Sequence, residues 1–192
     1  MSVTGLNGRS MGPSRAELLG QNQYLVARNL RNDGFAYVRE AVAGDIEPGW
    51  DRPPISRALV RGAATHDMRY FNFGDAGGCP PEPNPGGCKN NWDRKDLGYV
   101  SQHANAEVLP QIYKAFNPKQ WMRVARSWDR RNCPEYSQSP RRTCFFFTGA
   151  TSQPKSCPTD FSPRQSWRRL HNKAGRRTVR RHLLYWNPDG CG

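Results

Sequence analysis

A chain of 192 residues with 36% hydrophobic residues has material for one domain with a modest core, and its 18 Gly and 16 Pro favour short elements joined by long loops. An aromatic share of 11% excludes disorder throughout, and no apolar run reaches the roughly 18 to 20 residues that a membrane-spanning helix needs. The net charge of +13 is unevenly placed: residues 1–118 hold 13 Lys and Arg against 12 Asp and Glu, whereas residues 119–192 hold 16 against 4.

Residues 1–13 read as an arm, and the Ser2 to Ser14 stretch lacks the continuous apolar core of a secretory signal, which favours an intracellular or virion location. Ser14-Arg15-Ala16-Glu17 has the form of a capping box. Leu18, Leu19, Leu25, Val26 and Leu30 follow at near-helical spacing, so a helix is expected over about 15–31, stopped by Asn32-Asp33-Gly34. Phe35–Val38 reads as a short strand, Gly44–Pro54 as loop, Ile55–Val60 as a helical turn and Met68–Phe73 as a strand. Residues 74–91 form a Gly- and Pro-rich loop bounded by Cys79 and Cys88.

From Asp96 onward the pattern is helical, with Val108, Leu109, Ile112, Tyr113 and Phe116 on one side and a break expected at Pro118. Trp121, Val124, Ala125 and Trp128 then suit a short amphipathic turn carrying Arg123, Arg126, Arg130 and Arg131 on its other side. Cys144–Thr148 reads as a buried strand. Ser162-Pro163-Arg164-Gln165 is a second capping box, opening a helix from 163 to about 173, and residues 176–186 resume as helix or strand.

Six cysteines allow 15 pairings, but the short spacings of Cys79 to Cys88 and of Cys133 to Cys144 suit two local disulfide loops. The four histidines, His66, His103, His171 and His182, show no zinc spacing with one another or with the cysteines, so no metal site and no cofactor is implied. No catalytic residue emerges: His66 and Asp67 are adjacent, which in a strand sends them to opposite faces, and Asp93, Asp96 and Glu107 read as surface or capping acids.

The expected fold is α+β: a small mixed domain with short helices and strands, long Gly/Pro-rich loops and a basic C-terminal arm. Its division is an arm over 1–13, a core over 14–150 and a basic extension over 151–192. Arg164, Arg168, Arg169, Lys173, Arg176, Arg177, Arg180 and Arg181, with Trp167 beside them, outnumber the acids available to pair with them. Such excess points outward, to nucleic acid or another polyanion. The function expected from this balance is a non-enzymatic structural or assembly protein, virion- or ribonucleoprotein-like, among neighbouring protein subunits. Two alternatives stand beside it: a secreted disulfide-bonded basic enzyme or toxin such as a nuclease, and a basic adaptor for an acidic protein.

Overall fold

The computed structural model describes residues 2–3, 11–33, 41–49, 51–66, 69–79, 88–134, 144–152, 161–174 and 179–185, and in it strands and helices alternate along the chain. The order is β1 (Ser2–Val3), α1 (Pro13–Asn32), β2 (Ala41–Gly44), α2 (Pro53–Ala64), β3 (Arg69–Asn72), α3 (Arg94–Gln102), β4 (Ala106–Val108), α4 (Asn117–Asn132), β5 (Phe147–Ser152), α5 (Pro163–Ala174) and β6 (Val179–Tyr185). The chain is thus the small mixed α and β domain expected from its composition. All neighbouring strands pair in parallel, in the order β1-β2-β3-β4-β5-β6. Parallel neighbours need a crossover, and each described crossover here carries a helix. Consecutive helices also pack on one another, so they form one layer over one face of the sheet.

Strand alternation divides the sheet residues between the two faces. Val42, Tyr70, Ala106, Val108, Phe147, Ala150 and Val179 enter the core beneath the helices, together with Trp92, Trp121, Leu59 and Leu97. Ala43, Phe73 and Leu109, with Phe71 against them, make a separate apolar patch on the other face. The helix layer is held closely where α1 meets α2. A Cβ on Gly20 would stand 2.2 Å from the Leu59 carbonyl oxygen, and one on Gly62 would stand 2.0 Å from that of Glu17. Ala16 and Ala27 on α1 and Ala58 and Ala63 on α2 are likewise buried.

The helix expected over about 15–31 is present as α1, and the small-residue seam sets its orientation. Leu18, Leu25, Val26 and Leu30 are exposed, because the helix turns its small residues toward α2. A correction concerns residues 106–116, expected as helix and found as strand β4 followed by loop. Pro110 lies within that run, and Val108 and Ile112 reach the core from extended backbone. Pro118 starts α4 rather than breaking a helix, since a first-turn proline has no backbone bond to lose. The turn expected around Trp121 extends to 16 residues. Residues 34–40, expected to hold a strand, lie outside the described residues.

The second capping box is present: Ser162 N–H donates to Gln165 Oε1 (2.8 Å) and Gln165 N–H to Ser162 Oγ (3.4 Å). Both expected disulfides form, Cys79–Cys88 and Cys133–Cys144. Among the described residues no helix is long and apolar enough to cross a membrane. Beyond α5, β6 pairs with β5 from Phe147↔Val179 to Ser152↔Tyr185, so the sheet continues through this basic part of the chain.

Candidate functional site

The C-terminal ends of parallel strands flanked by helices are where such sheets bind ligands, because the loops leaving them converge there. In this chain three carboxyls meet at that edge. Gly44 ends β2 and Asp45 and Glu47 follow it; Asn72 ends β3 and Asp75 stands three residues on. By alternation Asp45 continues the Ala43 side of its strand and Asp75 the Phe73 side, the face the helices leave open.

Two devices press the loops together. A Cβ on Gly74 would lie 2.1 Å from the Ile46 carbonyl oxygen, so only glycine permits this approach. Fully buried Asn72 bridges the same segments: its Oδ1 accepts from Ile46 N–H (3.3 Å) and Gly74 N–H (3.0 Å), while its Nδ2 donates to Ser101 Oγ on α3 (3.2 Å). The Cys79–Cys88 disulfide and the residues just after it support the arrangement from outside. Lys89 N–H donates to Gly78 O (2.9 Å), Asn90 Nδ2 to Pro48 O (3.0 Å) and Trp92 Nε1 to Asp51 O (2.5 Å).

The electrostatics follow from crowding acids where water is scarce. Asp45 and Glu47 are hydrogen-bonded to each other. Burial, and then the Asp75 charge, pushes Asp45 up to about 7, against the hydrogen bonds it receives from Glu47 and from Gln111 Nε2 (3.0 Å). Glu47 is pushed up to about 8 by burial first, then by the charges of Asp75 and Asp45. Asp75 is also raised by burial, opposed by Gly77 N–H (2.6 Å) and by Lys89. Like charges this close cannot all ionise, so the Asp45–Glu47 pair retains a proton near neutral pH.

Two buried hydroxyls lie elsewhere in the sheet, Tyr70 on the core side of β3 and Ser152 at the end of β5. The Tyr70 hydroxyl, raised by burial and by the Asp45 charge, has no hydrogen-bond partner among the described residues, nor has Ser152 Oγ at the end of β5. Among those residues no group of His, Cys, Asp and Glu is arranged to hold a metal ion.

A groove of about 470 Å³ opens at the opposite edge, around Arg69, Gln102, Glu107, Phe146 and Thr148. Its carboxylate is already engaged: Thr148 Oγ1 donates to Glu107 Oε2 (2.5 Å), and Arg69 Nε stands 3.8 Å from Oε1. Volume favours that edge, but unmatched acid chemistry belongs to the other, which is therefore the candidate site.

The residues singled out from sequence lie elsewhere. Arg164, Arg168, Arg169 and Lys173 are exposed on α5; Trp167 is half-buried and stacked on His171 (4.7 Å), and Arg169 sits over Phe161 (4.1 Å). Arg176 and Arg177 lie outside the described residues, and for Arg180 and Arg181 only their place in β6 is described. Asp93 and Asp96 form a capping box at the start of α3. Asp45, Glu47 and Asp75 were absent from the sequence reading. Their signal is a repeated Gly-Asp dipeptide, Gly44-Asp45 at the end of β2 and Gly74-Asp75 two residues past β3.

No family model matches this chain, and no curated protein or solved structure matches it either.

Proposed function

We infer that the carboxyl cluster is an acid–base site and that the chain is a hydrolase acting on a neutral or cationic polar substrate. The observation that carries this reading is the hydrogen-bonded Asp45–Glu47 pair, raised into the neutral range on the open face at the C-terminal edge of a parallel sheet. A pair holding one proton has both functions that hydrolysis needs, and it titrates as a unit. Its ionised half takes a proton from water as the water oxygen attacks the electrophilic carbon. Its protonated half gives a proton to the leaving atom, so the pair ends the cycle with the proton count it began with. Asp75 adds negative charge, which disfavours anionic substrates, and Gln111 orients Asp45. The two disulfides accord with the secreted, disulfide-bonded enzyme among the alternatives raised by the sequence.

The test is a panel of neutral chromogenic glycosides, esters and peptides presented to the oxidised full chain. Loss of a positioned acid or base costs on the order of 10²- to 10⁴-fold in rate, so Asp45→Asn and Glu47→Gln should each fall by that much while Glu107→Gln does not. Variants that both keep the parent rate would sink the reading, as would carboxyl NMR titrations placing both groups near the ordinary value of about 4.

A second reading, polyanion contact by an assembly protein, is favoured by one observation. Arg164, Arg168 and Lys173 are exposed on α5 and make no ion pair with a described carboxylate. It predicts retention on heparin or an oligonucleotide at about 0.05 M salt, lost when these three become Glu.

A further inference from the structure

Arg57 on α2, Lys95 and Tyr99 on α3, His103 just beyond it, and Trp128 and Arg131 on α4 line a groove of about 390 Å³ on the helix layer. It is remote in kind from the carboxyl site: cations and aromatic rings line it, and among the described residues no carboxylate does.

Its parts are held before any ligand arrives. The Arg57 guanidinium is fixed from behind by Asp96 (2.6 Å) and lies over the Tyr99 ring (4.9 Å). That leaves its Nε buried with no hydrogen-bond partner among the described residues. Tyr99 and His103 are stacked at 4.1 Å with planes 14° apart. The Trp128 ring is packed where Gly98 leaves room, since a Cβ there would come within 2.6 Å of a ring carbon. Asn132 Nδ2 donates to Trp128 O (3.1 Å), closing the end of α4.

Packing accounts for the Arg57–Asp96 pair and the ring stack. It does not account for Lys95 and Arg131 turning to the same space. Among the described carboxylates Lys95 reaches only Asp93, at 4.0 Å, and Arg131 makes no ion pair with any. The positive field is felt inside the groove: His103 is lowered by burial first, and then by Arg61 and Arg57. Guanidinium groups bind the oxygens of phosphate in pairs, and flat aromatic faces stack on planar rings. We propose that this groove binds a phosphorylated planar ring of the nucleoside monophosphate class, its phosphate among Arg57, Lys95 and Arg131 and its ring against the aromatic wall.

The experiment uses the oxidised full chain with adenosine monophosphate, adenosine and inorganic phosphate, followed by calorimetry at about 0.05 M salt. The expected result is one saturable site for the monophosphate with Kd below about 1 mM, and each half-ligand at least about tenfold weaker. Arg131→Ala and Lys95→Ala, at exposed positions where folding is not at stake, should each weaken binding about fivefold or more. Arg164→Ala with Arg168→Ala on α5 should change nothing. The proposal is overturned if the monophosphate does not saturate, if Arg131→Ala and Lys95→Ala bind as the parent does, or if the α5 pair abolishes binding. Phosphate binding as tightly as the monophosphate would remove the ring from the proposal, and adenosine doing so would remove the anion.

Discussion

The two edges of one sheet treat their carboxyls oppositely. At the N-terminal edge Glu107 faces Arg69 and the Thr148 hydroxyl, and its charge has a counterpart. At the C-terminal edge Asp45, Glu47 and Asp75 have one another, with Lys89 the cation that opposes their shift, acting on Asp75. Both sets lie on the face free of helices, so exposure to a ligand does not separate them. Electrostatic satisfaction does. A matched carboxylate is explained by the fold, whereas a crowded one is maintained against its own repulsion by Gly74, Asn72 and the Cys79–Cys88 disulfide, and asks for another reason.

The largest perturbation tests whether the edges share a scaffold. Gly20→Leu drives a side chain into the backbone of α2 and should cost about 3 kcal/mol or more, read from urea unfolding. It should lower the stability of both edges together in a single transition. Two transitions, one for each edge, would mean that the sheet is not one cooperative unit.

Next in size, Cys79→Ser with Cys88→Ser removes the closure of a loop of sequence separation 9, costing about 2.5 kcal/mol by chain entropy. The sharper readout is local. Carboxyl NMR should show Asp45 and Glu47 moving toward ordinary values, because the loops that crowd them lose their support. Removing Cys133–Cys144, at the start of β5, should leave those titrations in place. If both disulfides act alike on them, the staple is not specific to this edge.

Glu47→Gln comes third. Folded Asp45 and Glu47 titrate near about 7 and about 8, well above unfolded carboxyls. The folded state therefore binds more protons than the unfolded one between about pH 4 and pH 8, and stability falls as pH rises through that window. Glutamine removes one member of the pair and relieves the other. It should leave stability unchanged near pH 4 and raise it by about 2 kcal/mol at pH 9, measured by denaturant midpoints. A variant that follows the parent curve at every pH would show that the pair carries no stored repulsion.

These acids were invisible in the sequence for a physical reason. Strand β2 has four residues and β4 three, too few for alternation to declare itself, and although β3 was read as a strand, the dipeptides Gly44-Asp45 and Gly74-Asp75 looked like ordinary loops. Periodicity also misled at Val108–Phe116, where apolar residues reach the core from a strand and its loop. On α1 it gave the helix but not its buried side, which Ala16, Gly20 and Ala27 set by allowing a closer approach than Leu18 and Leu25 would. Apart from α1 and β3, which periodicity gave, what was legible depended on local chemistry. The Ser162–Gln165 capping box and the two short Cys spacings need no partner from elsewhere in the chain, and each formed as expected. The carboxyl cluster needs two separate loops, which only the parallel sheet brings together.

The smallest expected effect carries the control. Glu107→Gln keeps an acceptor for Thr148 Oγ1 and loses the Arg69 pair, whose arginine side chain is 54% exposed and whose separation is 3.8 Å. Exposed pairs of that geometry contribute below about 1 kcal/mol, so the denaturant midpoint should hardly move and should show no new dependence on pH between about 5 and 9. The same Glu-to-Gln change at position 47 is expected to do the opposite in both respects. Since the two substitutions are chemically identical and sit on one face of one sheet, a difference between them isolates the environment as its cause. If Glu107→Gln instead stabilises the protein at high pH as strongly as Glu47→Gln, then general negative charge rather than crowding governs both edges, and the C-terminal cluster loses its claim to be exceptional.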